Sequence, residues 1–239
     1  MSKLILIRHG QSLWNAENKF TGWVDVDLTD QGILEAKKAA ELLKALDINI
    51  DFTFTSYLKR AIKTLTIILQ HNDINIKISP SWEINERHYG SLTGLNKEEI
   101  KKKVGIEKFN EYRRSWEISP PNIEKNNNNI LLFSPLNAGI PKEKIPLTES
   151  LKDTYTRVIP FYEREVEVHL KNNKNVLISA HGNSLRALCK YLFNISNEKI
   201  NKLEIPTGNP LLIDLDKNQK IDEFYYLDSE RKKEIITNQ

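Results

Sequence analysis

A single cysteine, Cys189, is all the thiol this chain contains, so no disulfide can close within it. That fits a reducing compartment. Cys189 sits at helical spacing in Leu185-Arg186-Ala187-Leu188-Cys189-Lys190-Tyr191-Leu192 and reads as a small core residue, not a nucleophile. No apolar run approaches the length of a membrane helix. Residues 1–8 are too short, and lead too directly into site-like sequence, for a signal peptide. A cytoplasmic protein with no membrane partner is expected. Metal-ligating patterns are missing as well: there is no His-Glu-x-x-His, no EF-hand loop and no Cys-x-x-Cys. Without a Gly-x-x-x-x-Gly-Lys-Ser/Thr loop, a P-loop NTPase is excluded. Excess charge is small, with 35 Lys and Arg against 32 Asp and Glu and a formal net charge of +3. The lysines are scattered, so no nucleic-acid partner is expected. The runs Lys101-Lys102-Lys103 and Arg231-Lys232-Lys233 read as solvated faces.

What is present suits one sizeable domain over residues 1–239, with 39% hydrophobic and 28% charged residues. Residues 3–8 predict a buried strand. Thr29 caps a helix running to about Leu46, with Ile33, Ala36, Ala40 and Leu43 on one face. Residues 51–55 alternate as a strand, and Ser56 leads into a helix through Leu69. A short strand at 76–79 and helical sequence at 97–116, broken at Gly105, follow. From Glu117 to Pro146, prolines and the run Asn126-Asn127-Asn128-Asn129 predict an irregular excursion. A long helix over 148–171, capped by Thr148 or Ser150, returns the chain to order. A buried strand at 175–180, a helix over 183–193 and strands at 211–215 and 221–227 complete the pattern. The polar tail from Asp228 is expected to be mobile. Strands alternating with helices imply an α/β fold, with a mostly parallel central sheet and helices on both faces.

Two segments spell nearly the same thing. Leu4-Ile5-Leu6-Ile7-Arg8-His9-Gly10-Gln11-Ser12 and Val176-Leu177-Ile178-Ser179-Ala180-His181-Gly182-Asn183-Ser184 each run a strand into histidine, glycine and a helix-opening serine. The carboxyl end of a buried strand is where α/β proteins keep their ligands. A neutral imidazole there can take up a phosphoryl group. Arg8 beside His9, and Arg60 at the start of the helix after the second strand, would lower its pKa and neutralise phosphoryl oxygens. Either histidine could serve as nucleophile; Arg8 next to His9, against only Ala180 next to His181, favours His9. Gly10 and Gly182 would let backbone approach an oxyanion, or are ordinary strand-to-helix turns. Glu86, where a short extended run meets a loop, is a candidate proton shuttle, although a glutamate beside an arginine is also what a surface pair looks like. His71 and His169 read as solvent-facing, and His88 as a supporting or loop histidine. Arg113-Arg114, on residues alone, reads as a solvated helix face.

The motifs resemble those of the 2,3-bisphosphoglycerate-dependent phosphoglycerate mutases of the histidine-phosphatase superfamily. Carrying the resemblance are Arg8-His9-Gly10, Trp14-Asn15, Phe20-Thr21-Gly22-Trp23, Ser56-x-x-x-Arg60-Ala61 and Asn85-Glu86-Arg87-His88-Tyr89-Gly90. Leu92 to Lys97, Arg113-Arg114-Ser115, Leu147 to Thr154, Ala180 to Arg186 and Ile205-Pro206-Thr207-Gly208 extend it along the chain. The resemblance implies interconversion of 3-phosphoglycerate and 2-phosphoglycerate, with 2,3-bisphosphoglycerate as priming cofactor and no metal. It implies that His9 is phosphorylated and that Glu86 shuttles the proton. Arg8, Asn15, Arg60, His181, Gly182 and Asn183 would then hold the phosphate, with Ser12 beside them. Thr21, Gly22, Tyr89, Lys97, Arg113 and Arg114 would bind the rest of the substrate. A homodimer or homotetramer, and a C-terminal tail that closes over the site, also follow from the family. A synthase or phosphatase on the same scaffold, and a non-catalytic phosphoanion sensor, are the competing readings.

Overall fold

The structure is a computed structural model that describes residues 1–123 and 140–237. The asparagine run at 126–129 lies outside the described residues. One six-stranded sheet organises the rest, in the order β3-β2-β4-β1-β5-β6. Its strands are β1 (Ser2–Arg8), β2 (Phe52–Thr55), β3 (Ile78–Pro80), β4 (Val176–Ala180), β5 (Leu211–Leu215) and β6 (Ile221–Tyr226). The first four are mutually parallel, and β5 and β6 run antiparallel at one side. The sheet is mostly parallel, as the alternating pattern implies.

Strand β1 shows why both faces must be covered. Leu4 and Leu6 point into one apolar cluster, and Ile5 and Ile7 into the other. Successive strand side chains alternate faces, so a run of four buried apolar residues needs a layer on each side. Helices α2 (Asp30–Lys44) and α3 (Lys59–His71) form one layer. The other is built by α6 (Leu151–Phe161), α7 (Glu167–Lys171) and α8 (Gly182–Leu192). Each fully buried Leu or Ile is worth about 1.5–3 kcal/mol. Cys189 lies in the same core, its thiol pushed up to about 12 by burial, which keeps it protonated and inert.

Thr29 caps α2 as expected, its hydroxyl accepting the Gly32 N–H. Close backbone packing, not an oxyanion, explains Gly10. A Cβ on Gly10 would lie 2.2 Å from the Gly32 carbonyl oxygen, and one on Gly32 2.1 Å from that of Gln11. Alanine is ordinarily favoured over glycine in a helix by about 1 kcal/mol. Here main chain opposes main chain and neither can rotate away. Gly32→Ala is therefore expected to destabilise the protein by about 1–3 kcal/mol. Urea unfolding measures this, and an unchanged or raised midpoint contradicts the packing argument.

The long helix expected over 148–171 starts at Leu151, with Ser150 and Asp153 forming a capping box. Pro160 lies inside it, and residues Tyr162–Val166 widen into a π-helical turn before α7 resumes. Proline lacks the N–H that would bond four residues back, so the ladder re-registers instead of ending. The extended run expected before Glu86 is instead a 3₁₀ turn, Trp82–Ile84, capped by the Ser81 hydroxyl. The sequence from 97 to 116 forms α4 (Lys97–Val104) and α5 (Ile106–Arg114), separated by Gly105 at φ +82°. A one-turn helix, α1 (Leu13–Ala16), follows the first His-Gly segment. His71 is exposed as expected. His169 is not: it stacks on Phe52 with ring centroids 3.6 Å apart, because β2 offers it an aromatic face. Among the described residues, no helix is long and apolar enough to cross a membrane, and no cluster of His, Cys, Asp or Glu could hold a metal.

Candidate active site

Sheet register brings the two His-Gly segments together. In the parallel pair β1–β4, Arg8 stands opposite Ala180, so His9 and His181 leave adjacent strands side by side. The His9 N–H donates to the Ala180 carbonyl at 3.0 Å. The two rings meet edge-on with centroids 4.9 Å apart.

Hydrogen bonding settles the His9 tautomer. Nδ1 lies 2.7 Å from the Gly10 carbonyl oxygen, which can only accept, so Nδ1 carries the hydrogen. The lone pair is then on Nε2, which accepts a hydrogen bond from Arg60 Nε at 3.2 Å. Burial, then Arg60, then Arg8 hold the His9 pKa well below the usual histidine range, against the opposing Gly10 contact. The ring is neutral, and its free nitrogen faces a cation. Arg60 is fixed in turn by the Gly22 and Val24 carbonyls at 2.9 and 2.8 Å. Burial pulls it down to about 10, with Glu86 and Asp25 opposing, so it stays charged at neutral pH.

His181 is fully buried behind His9 and does not line the cavity. Its Nε2 pairs with the Ser56 hydroxyl at 2.7 Å, and its Nδ1 has no partner among the described residues. Burial and then Arg60 push its pKa well below normal. Glu86 Oε1 accepts two backbone N–H groups, from Arg87 at 2.8 Å and from Asn183 at 3.1 Å. The carboxyl thus sits at the N-terminus of α8, held by main chain from two separate segments. Arg8 donates to the Ile205 carbonyl at 2.9 Å, and its buried Nε has no partner among the described residues.

These groups open onto a cavity of about 580 Å³. Arg8, His9, Asn15, Thr21, Gly22, Arg60, Glu86, Tyr89, Lys97, Arg113, Arg114, Gly182 and Asn183 all line it. Its lining holds ten lysine and arginine residues against four glutamates. Burial and then Arg113 and Arg8 lower Lys97, opposed by Tyr89, the mark of cations held close together. Such a wall attracts anions over distance and gains from binding them. Asn15 spends its Oδ1 on the Ser12 N–H, which leaves its NH₂ group as the donor for a ligand. Asn183 spends its backbone N–H on Glu86, its Nδ2 on the Tyr89 hydroxyl and its Oδ1 on Arg186.

A model of the histidine phosphatase superfamily (branch 1) matches residues 4–129 and 133–224. A protein of Pelagibacter ubique (strain HTCC1062), named 2,3-bisphosphoglycerate-dependent phosphoglycerate mutase, is 55% identical over 242 residues, covering 99% of each chain. This chain belongs to that mutase family within the histidine phosphatase superfamily. The fold agrees. The structure of a mycobacterial glucosyl-3-phosphoglycerate phosphatase complexed with VO₃ superposes with a TM-score of 0.71 at 19% identity, over 94% of this chain and 96% of that one. An Escherichia coli protein named as a putative alpha-ribazole-5'-P phosphatase gives 0.68 at 20% identity, over 92% and 94%.

Several residues stand where the sequence reading did not place them in this histidine phosphatase site. Ser12, expected to bind substrate, does not line the cavity. It is fully buried and its hydroxyl caps α1 by accepting the Asn15 N–H. Gly182 meets only ordinary contacts, a Cβ there lying 3.5 Å from the Arg8 guanidinium. Arg113 and Arg114 line the cavity, where the resemblance puts them, and do not form the solvated helix face that the residues alone suggest. Arg231, Lys232 and Lys233 line the cavity too. Arg231 bonds the buried Asp228 at 2.6 Å and the Thr207 and Gly208 carbonyls at 3.2 and 3.3 Å, so the tail expected to be mobile is tied down at its root. Arg186, which the sequence motifs contain without a role of its own, is buried and lines the cavity. Its position three residues after Asn183, on the same helix face, is the signal that would have found it. His88 supports the site: its Nδ1 accepts the Gly90 N–H at 3.0 Å, and burial pulls it down to about 4, so it is neutral.

Proposed function

We propose that the chain interconverts 3-phosphoglycerate and 2-phosphoglycerate by carrying a phosphoryl group on Nε2 of His9. The observation that carries this reading is the His9 ring itself: neutral, its lone pair on Nε2, and that nitrogen aimed at Arg60 on the wall of a cationic cavity. Nucleophilic nitrogen attacks phosphorus in line, the N–P bond forming as the P–O bond breaks. Arg60 and Arg8 then sit beside the oxygens that gain charge. Arginine suits them because its planar fork matches two phosphoryl oxygens. Glu86 gives its proton to the leaving oxygen and, in the reverse sense, takes one from an incoming hydroxyl.

The cavity also fits a ligand with two phosphates and a carboxylate. Lys97, Arg113 and Arg114 add their charge to that of Arg8 and Arg60 around the same cavity, which suits a doubly phosphorylated molecule. Bound 2,3-bisphosphoglycerate supplies the phosphoryl group that primes His9. Arg8 and Arg60 would hold its reacting phosphate, and Lys97 and Arg113 its far end. Arg231 to Lys233 border the same cavity, and a tail closed over it would exclude water from phosphohistidine. That disfavours simple hydrolysis against transfer.

A coupled assay tests the proposal. Conversion of 3-phosphoglycerate to 2-phosphoglycerate is expected, faster when 2,3-bisphosphoglycerate is added. Release of inorganic phosphate without isomerisation points to a phosphomonoesterase and contradicts the proposal.

A further inference from the structure

One guanidinium gathers the segment that carries Glu86. Arg157 of α6 donates through Nη1 to the carbonyls of Glu83 and Asn85, at 2.6 and 2.9 Å. Its Nη2 donates to the carbonyl of Glu86 at 3.0 Å. Glu149 holds the other side of the fork, with Oε1 2.7 Å from Nε and Oε2 2.9 Å from Nη2. The same Oε2 accepts the N–H of His88 at 2.8 Å. Trp23 adds a second donor to the Glu86 carbonyl, its indole N–H at 2.6 Å. The Arg157 and Glu149 side chains are only 9% and 4% exposed, and neither lines the cavity.

The segment needs such a clamp. Residues 85–89 lie between two 3₁₀ turns and belong to no helix or strand, so no ladder of backbone bonds fixes them. A buried ion pair is a weak source of stability, because desolvation offsets much of the attraction. Its planar donor geometry is what it contributes here: several N–H groups at set angles meet several carbonyls at once, which an ammonium cannot reproduce.

We infer that Arg157, oriented by Glu149, is a positioning residue that fixes the main chain on either side of Glu86 and so sets its carboxyl at the transferred phosphoryl group. The inference rests on Glu86 being the proton shuttle of the proposed function. Proton transfer tolerates little misplacement, and an error near 1 Å can cost about 100-fold in rate. Arg157→Lys keeps the charge and loses the fork. It is expected to lower kcat about 100-fold while KM changes little.

Two phosphoryl donors separate this role from a general loss of structure. Transfer from 2,3-bisphosphoglycerate to His9 leaves an alkoxide oxygen, which needs the Glu86 proton. Transfer from p-nitrophenyl phosphate forms the same N–P bond, but the electron pair leaves on a phenolate that is stable without a proton. Single-turnover labelling of His9 from each donor is measured for the wild type and for Glu86→Gln, Arg157→Lys and Glu149→Gln. Glu86→Gln defines the signature, a loss far larger with bisphosphoglycerate than with the aryl donor. Arg157→Lys is expected to reproduce it and to keep the aryl rate, which also certifies a folded site. Glu149→Gln is expected to show the same bias, more weakly. Equal losses with both donors in Arg157→Lys, or no loss with either, overturn the positioning role while the Glu86 signature stands. If Glu86→Gln itself shows no bias between donors, the proton-shuttle reading fails, and this inference fails with it.

Discussion

His9→Ala is expected to abolish phosphoglycerate interconversion, with kcat falling by about 10⁴-fold or more. Among the described residues, no other histidine and no cysteine lines the cavity. His181 is fully buried, does not line the cavity, and has its Nε2 engaged by the Ser56 hydroxyl. Cys189 lies in the core with its thiol pushed up to about 12. The alanine removes the nitrogen but leaves β1 and its pairing with β4 intact, since the His9 contact to Ala180 is made by backbone. Folding should therefore survive. Steady-state kinetics with a circular dichroism spectrum checks both halves. Substantial residual turnover in a folded His9→Ala protein moves the nucleophile elsewhere.

Arg60→Met is expected to cost roughly 10³-fold in kcat, the scale seen when a guanidinium that neutralises a phosphoryl transition state is lost. A second effect follows from the electrostatics. Burial contributes most to the low His9 pKa and Arg60 comes next. Removing the guanidinium leaves burial in place but raises the His9 pKa toward its ordinary value. The nucleophile must be unprotonated, so the acid limb of the kcat/KM profile should move to higher pH in Arg60→Met than in the wild type. Arg60→Lys should keep more of the low pKa, because charge remains, yet lose most of the rate, because one ammonium cannot replace a fork that serves His9, Gly22 and Val24 together. Profiles recorded between about pH 5 and 8 bracket an ordinary histidine pKa and measure the displacement. An acid limb that stays where it is in Arg60→Met contradicts the assigned electrostatics.

The parts of this site legible in the sequence are those that strand geometry decides locally. A buried strand ending in His-Gly places an imidazole at a sheet edge, and two such strands become partners through register alone. The sheet itself was readable for the same reason, since Leu4 to Ile7 can be buried only between two layers. Roles set by contacts between distant segments were not readable. Ser12 opens α1, as its place after His-Gly suggests, and its hydroxyl is used three residues on as a helix cap instead of on substrate, where the resemblance puts it. Gly10 looked like room for an oxyanion, and it is room for α2. The arginines at 113 and 114 read as a solvated face on residues alone; only the family resemblance puts them in the site, where α5 brings them to the cavity. Arg157 has no local signal at all. It reads as an ordinary helix-surface cation, and its role arises from carbonyls more than seventy positions earlier.

Phosphate labelling tests the central claim most directly. The protein is mixed with 2,3-bisphosphoglycerate carrying labelled phosphate, quenched in base, and the labelled peptide is mapped. Acid-labile, base-stable label on residue 9, chased onto phosphoglycerate when unlabelled substrate is added, is the expected result. Label that persists in His9→Ala, maps to another residue, or never leaves for phosphoglycerate contradicts the account.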